Sequence, residues 1–335
     1  MANKQQMKIV PPRSARAGRE RTDLVKLKSM VSFAMIFATL SVMGFLLLED
    51  RAYISIATAE FAGFSLWALV IYGLLPLLIS TVCILIFRAE KSDILGTRPS
   101  LEQFLVAPIT GFLFGLLIWT TVQLVQSLTL LGETWIRIPG LWQKASLYLG
   151  LSPAMGLLTV MVAAVVPATS QELLFRGVIL PHYSMERPRA LRIFLPALLA
   201  AMLSGDLQGL LVLFAMALVS SWIRVASDSL YLSSLATLGM SFSMLFARGL
   251  FSWITQILFQ MPLVDHLRVR IFYVTFALVL IVLLIAPVSV MDAKSPRRDP
   301  MARKKTRDQG TLSPVNRIVA ILSIAAMAVF YYFVF

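Results

Sequence analysis

The sequence contains very few of the residues from which metal and disulfide sites are built. Its 335 residues include one cysteine, Cys83, and two histidines, His182 and His266. A single cysteine excludes a disulfide framework within the chain and a thiolate cluster for a metal. A zinc centre needs three or four converging side chains, so two histidines make a histidine-ligated metal site improbable. We therefore expect neither a metal nor a cofactor.

Charged residues are also scarce. They make up 14% of the chain, against 58% hydrophobic residues, whereas a soluble domain is about a quarter charged. Apolar runs of about 18 residues or more recur along the chain, and each is long enough to cross a hydrocarbon core about 30 Å thick. The sequence thus excludes a soluble globule and predicts an all-α, polytopic transmembrane helical bundle of about nine spans. These are residues 31–48, 66–87, 104–124, 147–166, 193–203, 207–223, 230–246, 271–287 and 318–335.

Two segments fit this pattern imperfectly. The fifth span has only eleven apolar residues, which reach about 17 Å as a helix, so it must borrow flanking residues or border a wet cavity. Residues 251–264 have an apolar face opposite a polar one, which is typical of a helix lying in the membrane interface. We therefore expect an interfacial helix there instead of a tenth crossing.

The cations are distributed unequally between the two sides of this predicted bundle. The chain has thirty Lys and Arg against seventeen Asp and Glu, a net charge of +13. With the N-terminus inside, twenty-four of the cations fall on the cytoplasmic side and six on the other. Because cytoplasmic loops of membrane proteins carry the excess of Lys and Arg, this division predicts a cytoplasmic N-terminus.

The apolar runs and the clusters of cations divide the chain into four parts. Residues 1–28 form a basic cytoplasmic tail, 29–287 the transmembrane bundle, 288–317 a basic linker and 318–335 a C-terminal transmembrane helix. Each cation near an anionic leaflet contributes about 1 kcal/mol of attraction. We expect the tail and the linker to bind anionic lipid, and we favour this over a nucleic-acid site.

Ionisable residues within the spans are informative because they are costly to bury. Glu172 and Arg176 stand four residues apart in the stretch 170–177, after Pro167. On a helix they lie on one face, with the acid nearer the N-terminus, which favours an ion pair. By spacing alone, the pair either fixes this helix at the cytoplasmic boundary or takes part in chemistry, and the first interpretation is favoured.

The string Gln-Glu-Leu-Leu-Phe-Arg-Gly at 171–177 resembles the signature of the CAAX protease and bacteriocin-processing (CPBP, or Abi) family of intramembrane proteases. The resemblance extends over about residues 147–246 and implies a CAAX-protease-like core there. In that family two adjacent glutamates are followed by an arginine. The first glutamate activates a water molecule and the second pairs with the arginine. Two further helices supply a histidine each, the last with an asparagine.

Transferred by this resemblance, Glu172 corresponds to the second glutamate and Arg176 to the arginine. Gln171 stands where the family has its first glutamate. The remaining motif positions fall on Ser204, Thr237 and Ser241. The resemblance also suggests a bacterial plasma membrane.

These replacements predict a degenerate active site. An amide cannot accept a proton from water, and losing a general base costs about 10² to 10⁴ in rate, while losing an oxyanion donor costs about 10² to 10³. The remaining polar side chains would leave a water-bearing cavity, uncharged apart from the ion pair. We therefore expect a non-catalytic binding, scaffold or regulatory subunit of another membrane protein.

Two alternatives remain open. An active intramembrane endopeptidase would have to use Glu172 as its base, but the opposite charge of Arg176 favours the ionised carboxylate and makes it a weak base. A transporter or channel is disfavoured by the scarcity of intramembrane charge and of paired broken helices.

Gly111 and Gly115 form a Gly-x-x-x-Gly pair in the third span. Such pairs let two helices approach closely. With so many helices in one chain, we favour a contact inside the bundle over an oligomer interface.

Overall fold

A computed structural model describes most of the bundle. The described residues are 29–44, 60–61, 64–65, 70–89, 91–128, 136–149, 152–183, 189–203, 209–259, 266–293, 319 and 321–325. Within them the only strands are β1 (Glu60–Phe61) and β2 (Phe64–Ser65), which pair antiparallel. The predicted all-α membrane bundle is therefore confirmed.

Ten helices can be followed in the described residues. The first five are α1 (Ser29–Gly44), α2 (a π-helical turn Val70–Leu74 followed by Leu75–Phe87), α3 (Lys91–Leu95), α4 (Leu101–Leu128) and α5 (Gly140–Tyr148). Helix α6 comprises Pro153–Val160, a π-helical turn Met161–Val165, Val166–Glu172, a second π-helical segment Leu173–Ile179, and Leu180–Tyr183. The last four are α7 (Arg189–Met202), α8 (Leu210–Ser227), α9 (Leu230–Phe259) and α10 (His266–Ala293).

Five of the described helices are long and apolar enough to cross a membrane. They are Leu101–Leu128, Pro153–Ile179, Leu210–Ser227, Leu230–Gln256 and Val269–Met291. Shorter apolar helices cover Ser29–Gly44, Leu75–Phe87 and Ile193–Met202, and residues 321–325 are helical in the predicted ninth span. The chain is thus an integral membrane protein. The fifth predicted span is short, as expected from its eleven apolar residues.

The predicted interfacial helix at 251–264 is wrong. Helix α9 continues without a break from Leu230 to Phe259, so residues 251–259 extend the seventh span. Phe251 is buried in the bundle, where its ring packs 4.3 Å from that of Trp119 and 4.7 Å from that of Phe276, between centroids. The start of this stretch therefore packs inside the bundle, whereas Trp253 is exposed. Residues 260–265 lie outside the described part.

Other boundaries differ from the prediction as well. The fourth span begins at Pro153, and Leu147 belongs to the separate helix α5. Helix α10 passes through Pro287 and ends at Ala293, inside the stretch predicted as linker. The basic tail 1–28 and residues 294–317 lie outside the described residues.

Helices α4 and α9 form the centre of the bundle, and glycines let them touch. A Cβ on Gly111 would overlap the carbonyl oxygen of Ala236, and one on Gly115 would overlap the Ser243 hydroxyl. On the other helix, a Cβ on Gly239 would overlap the carbonyl oxygen of Pro108. The Gly-x-x-x-Gly pair therefore makes a contact within the bundle, as favoured from the sequence. This contact fixes the part of α9 that faces the motif helix.

Candidate functional site

The motif lies in the middle of α6 and not at its end. Helix α6 begins with Pro153 in the first turn, where a missing N–H costs nothing, and the Ser152 hydroxyl accepts a hydrogen bond from the Met155 N–H at 3.2 Å. Glu172 is the last residue before the second π-helical segment. Such segments inside α-helices are frequent at functional sites.

Glu172 is the centre of a buried polar cluster. Its side chain is 1% exposed. The Oε1 atom accepts hydrogen bonds from the hydroxyls of Ser220, at 2.6 Å, and Thr237, at 2.8 Å. The same oxygen lies 3.4 Å from Nη1 of Arg176. Helices α6, α8 and α9 therefore meet at a single carboxylate oxygen.

Arg176 is the only cation with a described contact to this carboxylate. It is buried, and its Nη2 donates to the carbonyl oxygen of Ala217 at 2.8 Å. Two atoms of the pair, Glu172 Oε2 and Arg176 Nε, are buried and have no hydrogen-bond partner among the described residues. The carboxylate thus has one saturated oxygen and one that can still accept a hydrogen bond.

Gln171 lies on a different side of α6 from this cluster. It lines a cavity of about 10 Å³ whose other walls are apolar, including Ala38, Ile79, Phe175 and Leu203. Neighbouring residues on a helix point about 100° apart, so the two members of the motif face different helices. The predicted water-bearing polar cavity is therefore not found around Gln171. A space of this size holds about one water molecule.

Of the three remaining predicted positions, the structure describes two. Thr237 contacts Glu172 directly, as described above. Ser241 is buried one turn further along α9, and its hydroxyl has no partner among the described residues. Ser204 lies outside the described residues.

The sequence analysis missed Ser220, which donates the shortest hydrogen bond to Glu172. It lies on α8, within an apolar helix, and no motif marks it. A helical-wheel argument could have placed it on the same face as Ala217 and Arg224, but only the packing of α8 against α6 shows that this face meets the motif.

The described residues around the cluster form no group of metal ligands. Among the described residues, no group of three or more His, Cys, Asp or Glu lies close enough to hold a metal ion. The two histidines fall at helix ends, His182 in the last turn of α6 and His266 at the first residue of α10.

A second arginine fixes the end of the bundle next to the motif. Arg224 Nε donates to the carbonyl oxygen of Arg176 at 3.1 Å, and its Nη2 donates to that of Ile94 at 3.2 Å. Its Nη1 lies 3.3 Å from Asp228 Oδ1. Gly96 follows α3 with φ +69°, and a Cβ there would overlap the Asp228 carbonyl oxygen. One guanidinium thus joins α3, α6 and α8.

We expect Arg224→Lys to destabilise the protein by about 2 kcal/mol, because a single ammonium cannot reach both carbonyl oxygens and hydrogen bonds from charged donors contribute about 1.5–3 kcal/mol each. The measurement is the thermal unfolding of the protein purified in detergent. Arg98→Lys is the matched control, since Arg98 is exposed and should tolerate the change. Equal melting temperatures for both variants would show that Arg224 does not hold these helices together.

The fold and this cluster define a helical integral membrane protein with a buried acid–arginine pair at the junction of three helices. Residues 153–243 match the family described as Type II CAAX prenyl endopeptidase, Rce1-like. Over this segment the chain is thus similar to the CAAX prenyl protease family, as the motif at 171–177 predicted. No curated protein and no solved structure compared with the chain matches it significantly.

Proposed function

We propose that this protein is a non-catalytic member of the CAAX protease family, acting as a binding, scaffold or regulatory subunit for another membrane protein. The observation that carries the proposal is the chemistry and surroundings of the two residues at the start of the motif. The residue at the family's base position, Gln171, is an amide that lines an apolar cavity. The remaining carboxylate, Glu172, is bound by two hydroxyls and an arginine.

The geometry supports a structural part for Glu172. A general base needs an oxygen that can take a proton from a positioned water molecule. Oε1 already accepts two hydrogen bonds and lies 3.4 Å from Nη1 of Arg176, so it is not free to bind a water molecule. Ser220 and Thr237 both donate to this oxygen, so neither hydroxyl acts as a base towards it. The cluster therefore holds α6, α8 and α9 together and performs no proton transfer.

The proposed cellular setting follows from the sequence. Cytoplasmic orientation of the N-terminus, attachment of the basic tail and linker to anionic lipid, and a bacterial plasma membrane are part of the proposal. The membrane-protein partner would be recognised through the helical surface, because Glu172, Arg176, Thr237 and Ser241 are buried. None of these features requires a cofactor or nucleic acid.

A second candidate function is an active intramembrane endopeptidase, processing a membrane protein or peptide. One observation favours it. Glu172 Oε2 is buried without a hydrogen-bond partner among the described residues, so this oxygen could accept a proton from a water molecule. The same carboxylate is held through its other oxygen by Ser220, Thr237 and Arg176, which argues against this function.

A cleavage assay separates the two functions. We expect the purified full-length protein in detergent to leave prenylated and unprenylated peptide libraries intact, within the sensitivity set by an active family protease assayed in parallel. The readout is mass spectrometry of the peptides, which detects a new terminus at any position.

Reproducible cleavage by the parent protein, lost in Glu172→Gln, would establish the endopeptidase and refute our proposal. Circular dichroism and the melting temperature of Glu172→Gln show whether the variant is folded, so that loss of activity is not confused with loss of structure. Cleavage that persists in Glu172→Gln comes from another protease in the preparation and leaves the proposal standing.

A further inference from the structure

A large cleft lies at the end of the bundle opposite Arg224 and Asp228. Its volume is about 550 Å³, within the range of ligand pockets, about 300–1,000 Å³. It is formed by the last turns of α4, by α5, by the second half of α9 and by the first turns of α10. The Glu172 cluster contributes no residue to it. The cleft is therefore separate from the motif.

The cleft is lined by hydrogen-bonding groups and one positive charge. Arg248 is the only charged residue among its described lining residues, and it is exposed. Neither Arg248 nor Gln123 has a hydrogen-bond or ion-pair partner among the described residues. Six non-aromatic side chains with amide or hydroxyl groups accompany Arg248, namely those of Gln123, Gln126, Gln143, Ser146, Ser252 and Thr255. An unpaired guanidinium surrounded by amides and hydroxyls suits a phosphate group.

Buried aromatic rings give the cleft a rigid wall. Trp142 is 2% exposed, and its Nε1 donates to the carbonyl oxygen of Ala163 at 2.8 Å, which holds the indole in place. Trp119 packs on Phe251 and Tyr273. Such rings, with one apolar surface and one polar edge, are enriched where a membrane protein meets the head-group region.

The mouth of the cleft adjoins the lipid-facing surface of α10. Val269 and Tyr273 line the cleft, whereas Ile271, Val274 and Leu278 on the same helix are exposed apolar residues. A head group in the cleft could therefore keep its acyl chains along α10. A water-soluble phosphate compound would leave this apolar surface unused.

The cations at this end of the bundle also favour an anionic phosphate ligand. In the predicted topology only six cations lie outside the cytoplasm, and Arg137, Lys144, Arg248, Arg268 and Arg270 are among them. All five fall in or next to the segments that line the cleft. Guanidinium groups pair with phosphate oxygens through two parallel hydrogen bonds. We infer that the cleft binds the phosphate head group of an anionic phospholipid, with Arg248 as its charged contact.

The test uses purified full-length protein in a neutral detergent, titrated with short-chain phosphatidylglycerol, with phosphatidylcholine of the same chains, and with glycerol phosphate. Tryptophan fluorescence reports binding, because Trp119 and Trp142 line the cleft. We expect phosphatidylglycerol to bind at least about tenfold more tightly than phosphatidylcholine, the difference that one charged hydrogen bond provides.

Two variants test whether the anionic lipid binds at Arg248. Arg248→Gln should remove the preference for phosphatidylglycerol while leaving the melting temperature unchanged, since Arg248 has no partner in the described part of the protein. Arg98→Gln removes the same charge from an exposed position at the opposite end of the bundle, outside the lining, and should keep the preference. This comparison also separates the cleft from anionic lipid held by the basic tail and linker, which both variants retain.

Three results would overturn the inference. Equal affinity for the two lipids would show that the head-group charge is not recognised. An unchanged preference in Arg248→Gln would place the anionic lipid elsewhere. Displacement of the lipid by glycerol phosphate at equal concentration would assign the cleft to a soluble phosphate compound. None of these results depends on whether Glu172 takes part in catalysis.

Discussion

Replacing Glu172 with alanine is expected to lower the free energy of unfolding by about 3–5 kcal/mol, the cost of removing one partner from a buried ion pair. The variant leaves the buried guanidinium of Arg176 without its carboxylate and removes the acceptor for the hydroxyls of Ser220 and Thr237. The measurement is unfolding of the detergent-purified protein, by heat or by a denaturing detergent, followed by circular dichroism.

A second substitution tests whether the unpaired charge of Arg176 causes this loss of stability. In the double variant Glu172→Ala with Arg176→Met, no buried charge remains unpaired, so we expect less destabilisation than in Glu172→Ala alone. The difference is the coupling energy between two residues in contact, about 0.5–3 kcal/mol. Glu172→Gln keeps an acceptor for both hydroxyls and should fall between the parent and Glu172→Ala. If Glu172→Ala is as stable as the parent, the pair is not buried in the membrane-embedded protein.

The second large effect concerns the contact between α4 and α9. Gly239→Ala should destabilise the protein by about 1–3 kcal/mol or more, the usual cost of overpacking. The new Cβ would overlap the carbonyl oxygen of Pro108 and lie 2.8 Å from the backbone nitrogen of Phe112. These atoms belong to the backbone of α4, so the two helices must separate. Close van der Waals packing is a principal source of helix association within a bilayer.

Gly249→Ala is the matched control for this effect. Gly249 lies in the same helix, and nothing comes within 4 Å of a Cβ built on it. An alanine there should stabilise the helix by about 0.5–1 kcal/mol, because glycine loses more conformational freedom on folding. The same melting experiment compares the two variants. A Gly239→Ala protein that melts at or above the parent would show that α4 and α9 are not in the described contact.

The Glu172→Ala and Gly239→Ala variants also test the proposed function. The Glu172 cluster joins α6, α8 and α9, and the glycines join α9 to α4. The two sets of contacts together fix Thr237 beside Glu172. If the motif is structural, as we propose, substituting Glu172 should lower the free energy of unfolding. If it is catalytic, conservative substitution should reduce cleavage in a protein that remains folded.

The sequence predicted the local part of the site correctly. The contact between Glu172 and Arg176 follows from their spacing, because residues four apart on a helix face the same side. The similarity of this segment to the CAAX prenyl protease family followed from seven consecutive residues. The contact of Gly111 and Gly115 within the bundle followed from the number of helices available. Each of these inferences depends on neighbours along the chain, whose geometry the helix itself sets.

The sequence did not predict the neighbours that come from other helices. Ser220 was missed because nothing in α8 indicates that this hydroxyl faces Glu172. Gln171 was expected in a polar cavity but lines an apolar one, because the rotation of α6 about its axis is decided by the helices packed around it. The extension of α9 beyond residue 246 was missed because an amphipathic stretch fits both a membrane interface and a polar cleft.

Apolar runs, loop charges and one short motif thus determined by themselves that the chain is a helical membrane protein with a CAAX-protease-like segment. Tertiary structure alone decided that Glu172 is shared by three helices, that Arg224 joins α3, α6 and α8, and that a polar cleft opens at the other end of the bundle. The physical reason is that backbone hydrogen bonds fix each helix locally, whereas side-chain packing between distant helices fixes their rotation and depth.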